Sequence, residues 1–256
     1  MIHPTAIIDP SCDIADSAEI GPYTVVGPNV TIGEGTVIAP HVVIKGPTVI
    51  GAHNKIFQFS SVGEDTPDMK YDGEPTRLVI GDHNVIREGV TIHRGTIQDN
   101  GETIIGDHNL LMAYVHVGHD CVIGNHTIFV NNGSIAGHVR VGDWAIVSGY
   151  ALIHQFCNIG AHSFVGMASW IKMDVPAYMT VMGTPAEAKG INTEGLRRRG
   201  FSAEGIAAIK QAYKIVYRRG LTVEQALLKL AELELEHPEV ALFRQNIADS
   251  SRGIVR

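Results

Sequence analysis

The sequence is poor in aromatic residues, in charged residues and in cysteine. Aromatic residues make up 6% and charged residues 18% of the 256 residues, and there are three cysteines. Cys12, Cys121 and Cys157 are widely spaced and form no Cys-X-X-Cys pair. This spacing argues against a disulfide framework or a cysteine-rich zinc site and favours a reducing compartment.

Long apolar runs are also absent. No segment approaches the roughly 20 apolar residues that a membrane helix requires. Residues 1–6 have neither the basic region nor the apolar region of a signal peptide. The net charge of −7 argues against general nucleic-acid binding. These features predict a cytoplasmic protein with no integral membrane segment.

Glycine, in contrast, is abundant at 28 residues, and it accompanies a six-residue repeat. Isoleucine or valine occupies every sixth position from residue 2 to residue 62, and the same phase returns from 80 to 92. The phase then slips by one residue, and an apolar residue occupies every sixth position from 105 to 171. Ordinary amphipathic strands would not keep this phase for so long. The pattern predicts a mainly β protein, with a hexapeptide-repeat parallel β-helix over residues 1–186.

Three hexapeptides should form one triangular coil, with glycine near corners that need unusual backbone angles. Residues three hexapeptides apart then lie on the same face of successive coils, about 4.8 Å apart. Two loop excursions interrupt the repeat, near residues 64–79 and 94–104, and the first contains Pro67, Gly73 and Pro75. Excursions from a regular solenoid commonly carry function.

The period changes in residues 187–256, which are predicted to form a small helical domain. Ser202 is a candidate N-cap, and Thr222 with Gln225 forms a capping box for a second helix. Pro238 marks the start of a third helix. A domain of this size is expected to pack on the β-helix or on another subunit.

Residues 189–219 are strongly basic, with eight lysines and arginines against two glutamates. A solvated helix face is the simpler interpretation of such a segment. We favour a docking surface for a polyanion, such as a diphosphate or an acidic protein.

The histidines, 13 in all, include one group with regular spacing. His119, His138 and His154 follow repeat positions three hexapeptides apart, which predicts one face of three consecutive coils. His116 ends the preceding hexapeptide. The group could supply a general base for a substrate hydroxyl, or imidazole ligands for a metal. Asp120 could orient His119 only if the two residues straddle a corner, because neighbours in a strand point to opposite faces.

Longer motifs resemble those of the bacterial UDP-N-acetylglucosamine O-acyltransferase family, which begins lipid A synthesis. The resemblance covers essentially the whole chain, whereas hexapeptides alone are common to many transferases. The motifs are Gly63-Glu64, Asp68-Met69-Lys70-Tyr71, Gly73-Glu74-Pro75-Thr76, Thr91-Ile92-His93-Arg94-Gly95-Thr96, His116-Val117-Gly118-His119-Asp120, Ala136-Gly137-His138-Val139, His154-Gln155-Phe156-Cys157, the segment from Asn192 to Phe201, and Ser251-Arg252-Gly253-Ile254-Val255-Arg256.

The resemblance implies a homotrimer of left-handed parallel β-helices with sites between neighbouring subunits. It implies transfer of an (R)-3-hydroxyacyl group from acyl carrier protein to the 3-hydroxyl of UDP-N-acetylglucosamine. His119 matches the general base, Asp120 the residue that orients it, and Gly137 a backbone N–H donor to the oxyanion. Because the donor thioester is already activated, no cofactor or metal is expected.

The resemblance also implies substrate contacts. Asp68 and Lys70 match residues that contact the sugar and the phosphate. The residues that match the substrate cleft are His93, His116, His138, His154 and Gln155. The residues that match the nucleotide and acyl-carrier side are Asn192, Glu194, Arg198 and Arg199. Met167 matches the floor of the acyl groove. A methionine there, in place of a small residue, predicts a donor of about ten carbons, not about fourteen.

Three other functions are compatible with the sequence. The first is a related transferase that acylates an amino sugar or takes a short acyl group from coenzyme A. The second is a metallo-lyase with ligands from His116, His119, His138 or His154. The third is a solenoid without catalytic activity.

Overall fold

The computed structural model describes the whole chain, Met1–Arg256. Short strands repeat along most of the chain, and helices follow. In chain order the first strands are β1 (Ile7–Ile8), β2 (Asp13–Ile14), β3 (Glu19–Ile20), β4 (Val25–Val26), β5 (Val30–Ile32), β6 (Val37–Ile38), β7 (Val43–Ile44), β8 (Thr48–Ile50), β9 (Lys55–Ile56), β10 (Ser61–Glu64), β11 (Arg77–Ile80), β12 (Val85–Ile86), β13 (Thr91–His93) and β14 (Glu102–Ile105). The remaining strands of the repeat are β15 (Leu110–Leu111), β16 (His116–Val117), β17 (Val122–Ile123), β18 (Ile128–Phe129), β19 (Ser134–Ile135), β20 (Arg140–Val141), β21 (Ile146–Val147), β22 (Leu152–Ile153), β23 (Asn158–Ile159), β24 (Phe164–Val165) and β25 (Trp170–Ile171).

These strands form the three faces of a prism. Sheet I runs from β1 through every third strand to β25, and sheet II likewise from β2 to β23. Sheet III runs from β3 to β24. Each coil contributes one strand to each sheet, and all these pairings are parallel. The predicted parallel β-helix is confirmed.

The residues at the repeat positions stack inside the prism. Ile32, Ile50, Ile80 and Ile105 follow one another in sheet II, and each is at most 1% exposed. Full burial of such a side chain contributes about 1.5–3 kcal/mol. The repeat therefore continues through the solenoid as one apolar column per face.

Two loops leave the prism: the first loop is residues 65–76 and the second loop is residues 94–101. Coils elsewhere pair residues 18 apart, but coils that flank the first loop pair residues 30 apart. The coil with the first loop is therefore two whole hexapeptides longer than the others, so the six-residue repeat keeps its phase. Coils that flank the second loop pair residues 25 apart, which is one hexapeptide and one residue more. This extra residue is the phase slip in the sequence.

Corner residues adopt left-handed backbone angles. Along the corner that links sheet II to sheet III, the rings of His53, His83, His108 and His126 are stacked with centroids 4.8 to 4.9 Å apart. Each has φ between 56° and 58°. Several histidines without an apparent partner in the sequence thus share one position in the coil.

The chain after β25 forms an antiparallel hairpin and four helices. The hairpin strands are β26 (Met179–Gly183) and β27 (Ala186–Ile191), and the helices are α1 (Thr193–Arg198), α2 (Ala203–Arg218), α3 (Val223–Glu234) and α4 (Val240–Ala248). The predicted division at residues 186/187 falls within β27. Ser202 caps α2, and Thr222 and Gln225 form the capping box of α3, as predicted.

The helices pack on the last coils of the β-helix. Tyr178 donates its hydroxyl hydrogen to the carbonyl oxygen of Glu239 (3.1 Å), and Asn246 Oδ1 accepts the N–H of Ala177 (2.9 Å). Phe243 and Leu230 are fully buried among the helices. None of the four helices combines the length and the apolar character that a bilayer span needs.

Candidate functional site

His119 and Asp120 form a hydrogen-bonded pair at the corner that links sheet I to sheet II. Asp120 has φ 58°, in the left-handed region that aspartate tolerates better than most residues. This corner brings the adjacent side chains together, and His119 Nδ1 lies 2.7 Å from Asp120 Oδ2. His119 and Asp120 thus straddle a corner, which is the condition for Asp120 to orient His119. The pair leaves His119 Nε2 available to a hydroxyl group.

The carboxylate of Asp120 is buried and fully hydrogen-bonded. Thr96 donates its N–H to Asp120 Oδ1 and its hydroxyl hydrogen to Oδ2, both at 2.7 Å. The N–H of Asp120 donates to Thr103 Oγ1 at 2.8 Å. Burial raises the pKa of Asp120, but the hydrogen bonds from His119 and Thr96 outweigh it and hold the pKa below the usual 3.8. Asp120 is therefore an anion at neutral pH.

Gly137 lies one coil further along, against the imidazole of His119. A Cβ atom at Gly137 would lie 2.5 Å from His119 Cε1 and 2.6 Å from Nε2, so any larger residue would displace the imidazole. The Gly137 N–H donates to no acceptor within the chain. A free backbone donor beside an imidazole is an arrangement that suits acyl transfer.

His138 also belongs to this cluster. Its Nδ1 lies 2.9 Å from Asp99 Oδ2 in the second loop, and its ring stacks on Phe156 with centroids 4.3 Å apart. The rings of His138 and His119 meet edge to face at 5.0 Å. The histidine spacing therefore correctly predicted that these two residues are neighbours.

A cavity of about 680 Å³ opens beside the cluster. Both loops and three successive coils contribute to its wall. The lining residues are Pro67, Asp68, Lys70, Thr96, Gln98, Asp99, His119, His138, Gln155 and Phe156. Of the residues predicted from the sequence, Asp68, Lys70, His119, His138 and Gln155 thus share one cavity.

The other predicted cleft histidines lie outside its wall. His93 and His116 pair with ring centroids 5.4 Å apart, and His93 Nδ1 contacts the carbonyl oxygen of Asp65 at 2.8 Å. Burial, followed by the charges of the His93 and His119 imidazoles, lowers the pKa of His116. His154 turns to the C-terminal segment, where its Nδ1 lies 3.4 Å from Arg252.

A trio of imidazoles from His119, His138 and His154 is therefore not assembled within the chain. The potential metal ligands that do converge are His119, Asp120 and His138, whose ligand atoms all lie within 4.8 Å of one another. Both oxygens of Asp120 already accept hydrogen bonds from Thr96 and His119. A metal ion here would have to replace those bonds.

The predicted nucleotide and acyl-carrier residues line a second cavity, of about 540 Å³, on sheet III. They are Asn192, Glu194, Arg198 and Arg199. The guanidinium of Arg199 lies 5.4 Å from the ring centroid of Trp144, and Glu194 forms ion pairs with Arg197 and Arg198. A cationic and aromatic wall of this kind suits an anion that carries a planar ring.

Met167 lies at the corner that links sheet III to sheet I and is 74% exposed. Within one chain, Met167, the His119 cluster and the cavity of Arg199 thus occupy different corners and faces of the prism. One chain does not bring the three groups of residues together.

Thr96, Asp99 and Phe156 are site residues that the sequence did not single out. Thr96 and Phe156 stand within motifs that carried the family resemblance, whereas Asp99 stands outside them, in the second loop. Their contacts, however, cross 24 residues from Thr96 to Asp120 and 39 residues from Asp99 to His138. Local spacing carries no signal for such contacts.

Family models match both parts of the chain. The model described as UDP N-acetylglucosamine O-acyltransferase, domain 2, matches residues 174–255. The model described as bacterial transferase hexapeptide (six repeats) matches residues 11–46 and 102–137.

Full-length relatives agree with these models. The acyl-[acyl-carrier-protein]–UDP-N-acetylglucosamine O-acyltransferase of Pseudomonas entomophila (strain L48) is 71% identical over 255 residues, which cover 100% of this chain and 99% of the relative. The UDP-N-acetylglucosamine O-acyltransferase structure from Moraxella catarrhalis RH4 has a TM-score of 0.99 at 52% identity, over 100% of this chain and 99% of that one. The Acinetobacter baumannii structure has a TM-score of 0.98 at 52% identity and the same coverage. With its left-handed parallel β-helix and small helical domain, this chain belongs to the UDP-N-acetylglucosamine O-acyltransferase family.

Proposed function

We propose that this protein transfers an (R)-3-hydroxyacyl group from acyl carrier protein to the 3-hydroxyl of UDP-N-acetylglucosamine, the first step of lipid A synthesis. The observation that carries the proposal is the His119–Asp120 pair beside the free N–H of Gly137, in a cavity lined by Asp68 and Lys70. The relatives named for this reaction, about 70% identical over the full chain, support it.

His119 is the general base in this reaction. Its Nε2 takes the proton of the 3-hydroxyl while the sugar oxygen attacks the thioester carbonyl carbon. The N–H of Gly137 donates to the oxyanion that forms. The intermediate then collapses, the C–S bond breaks, and His119 returns the proton to the thiolate that leaves. Asp120 accepts from Nδ1 throughout and stabilises the imidazolium.

The first loop supplies acceptor contacts. Lys70 is the only cationic side chain in the cavity wall and pairs with the acceptor diphosphate, while Asp68 accepts hydrogen bonds from sugar hydroxyls. His138 and Gln155 complete the wall around the sugar. His93, His116 and His154 contact the substrate at the margins of the cleft.

The assembly that fits this reaction is a homotrimer. Asn192, Glu194, Arg198 and Arg199 lie on another face of the prism from His119, so one substrate reaches both groups only between neighbouring copies. In that cleft, the second cavity takes the nucleotide and the carrier side of the donor. The reaction uses activated substrates, requires no cofactor, and takes place in the cytoplasm.

The donor carries a medium-length chain, of about ten carbons. Met167 fills the floor of the acyl groove with a side chain where a small residue would leave room. It is exposed in the single chain and lies on a different corner from His119, as a residue contributed by the neighbouring copy would.

An acyl-transfer assay with UDP-N-acetylglucosamine and a panel of acyl carrier protein thioesters tests this function. Wild type should acylate the acceptor, and His119→Ala should lose roughly 100-fold or more of the rate. His53→Ala, at an exposed corner outside the cavity, serves as control and should retain activity. Absence of transfer by wild type, or full activity of His119→Ala, would contradict the proposal.

Two further measurements separate the alternatives. Competition between acceptors with a 3-hydroxyl and a 3-amino group decides between O- and N-acylation. Stoichiometric zinc in the active protein, with activity lost on its removal, would favour a metallo-lyase at His119, Asp120 and His138.

A further inference from the structure

Both loops of the cavity are held at one tripeptide, Arg94-Gly95-Thr96, directly after strand β13. Arg94 is 5% exposed and Thr96 is 2% exposed, although both precede an exposed stretch of the second loop. Neither residue has a role in the acyl-transfer steps above. Their side chains nevertheless contact the two parts of the site on which those steps depend.

The side chain of Arg94 holds the first loop at two places. Its Nη1 donates to the carbonyl oxygen of Gly63 at 2.6 Å, at the base of the loop. Its Nη2 donates to the Tyr71 hydroxyl at 2.8 Å and forms an ion pair with Asp65. The acceptor-contacting segment from Asp68 to Lys70 lies between these attachments. A guanidinium can donate hydrogen bonds to all three of these oxygen atoms from one plane, whereas a lysine ammonium cannot.

Thr96 holds the catalytic carboxylate instead. Its N–H and its hydroxyl donate to separate oxygens of Asp120, and this fixes the plane of the carboxylate. In that plane, Oδ2 faces Nδ1 of His119. Without the hydroxyl, only the bond from His119 would hold Oδ2.

Gly95, between Arg94 and Thr96, occupies a position where no side chain fits. A Cβ atom there would lie 2.2 Å from the backbone nitrogen of Glu102 and 2.6 Å from the carbonyl carbon of Gly101. The tripeptide thus packs closely against the end of the second loop. Its two outer residues cannot shift independently of the coil.

We propose that Arg94 and Thr96 are positioning residues of the acyltransferase site: Arg94 fixes the loop that binds the acceptor, and Thr96 fixes Asp120 against the general base. This inference rests on the proposed function. It assigns different kinetic effects to residues two positions apart, because one acts on acceptor binding and the other on proton transfer.

Thr96→Val keeps the shape and removes the hydroxyl. Loss of a hydrogen bond to a buried anion should lower kcat roughly 10-fold or more, with the KM for UDP-N-acetylglucosamine unchanged. Thr96→Ser restores the hydroxyl and should restore kcat. A purely structural role for Thr96 would not produce this selective loss and rescue.

Arg94→Lys should raise the KM for UDP-N-acetylglucosamine roughly 10-fold or more and leave kcat at saturating acceptor near that of wild type. Because Arg94 is buried, Tyr71→Phe serves as a second variant that leaves no unpaired charge. It should shift the same KM in the same direction by less. The matched control is Arg77→Gln, since Arg77 is exposed and pairs with Glu102 at the surface.

Circular dichroism and molecular mass in solution establish that each variant keeps the wild-type fold and assembly. If wild type is active and His119→Ala is not, an unchanged kcat in Thr96→Val overturns the role of Thr96. An unchanged acceptor KM in both Arg94→Lys and Tyr71→Phe overturns the role of Arg94. Inactive wild type would instead refute the proposed function itself.

Discussion

Asp99 Oδ2 lies 2.9 Å from Nδ1 of His138, a residue 39 positions further along the chain. The contact crosses from the second loop, which follows β13, past the coil of His119 to the corner that follows β19. It directs His138 Nε2 towards the pair of His119 and Asp120, where it lies 3.8 Å from Asp120 Oδ2. The imidazole of His138 is thereby oriented beside His119, the proposed general base.

This orientation predicts a graded effect of histidine substitutions. His138→Ala removes a contact in the cavity wall but leaves the His119–Asp120 pair intact, so kcat/KM should fall roughly 10-fold. His119→Ala removes the base and should cost roughly 100-fold or more. Steady-state kinetics of the two variants measure which one loses more of its kcat/KM, and equal losses would contradict the prediction.

Gly137→Ala should abolish most activity without unfolding the protein. The added Cβ would meet the His119 imidazole at 2.5 Å and displace the base from the backbone donor. We expect a loss of roughly 100-fold or more in kcat. Gly27→Ala is the matched control, because a Cβ there would meet its nearest neighbour at 3.5 Å, an ordinary contact. Comparable activity of the two variants would argue against this account.

Met167→Gly should shift the donor preference towards longer chains. Met167 is the proposed floor of the acyl groove, so removal of its side chain should lengthen the groove, and transfer from a donor of about fourteen carbons should rise relative to one of about ten. The ratio of kcat/KM values for the two thioesters is the measurement. If wild type and Met167→Gly give the same ratio, Met167 does not set chain length.

His162 should make the protein less stable in mild acid. Burial, followed by the charge of Arg199, lowers the pKa of His162 to about 4, against the opposing effect of Asp143. The unfolded chain binds this proton near the ordinary value of about 6.5, so the folded state loses stability as pH falls from there towards 4.

Thermal unfolding at about pH 7.5 and about pH 5 tests this expectation. The drop in Tm between the two conditions should be smaller in His162→Gln than in wild type, by a few degrees. His3→Gln changes an exposed histidine and should keep the wild-type drop. An identical drop in all three proteins would show that His162 does not contribute.

The β-helix was predictable because its signal repeats. Each coil needs an inward apolar residue at the same position, as at Ile50 and Ile80, so the six-residue period recurs many times in the sequence. The caps at Ser202 and Thr222 were equally readable, since an N-cap acts within one turn. Helix α1 and the β26–β27 hairpin were not predicted, although Asn192 caps α1 by accepting the N–H of Gly195.

Repeat spacing predicted site neighbours only where residues share a position in the coil, whereas the family motifs predicted Asp68, Lys70 and Gln155. His119 and His138 follow equivalent strands, so spacing brought them together correctly. His154 follows the next equivalent strand, yet its exposed ring turns to Arg252 of the C-terminal segment, which pairs with Asp174. The support that Thr96 gives to Asp120 depends on the path of the second loop, which no periodic pattern describes.

The phase slip at the second loop has a consequence for how such proteins can change. Strand pairs, and not the number of residues between them, set which side chains stack in the prism. The coils that flank a seven-residue excess stack Ile80 on Ile105 just as regularly as coils without one. Loop length and scaffold are therefore separate variables: insertions or deletions can reshape the segments around the cavity, in evolution or in design, without moving a single core residue.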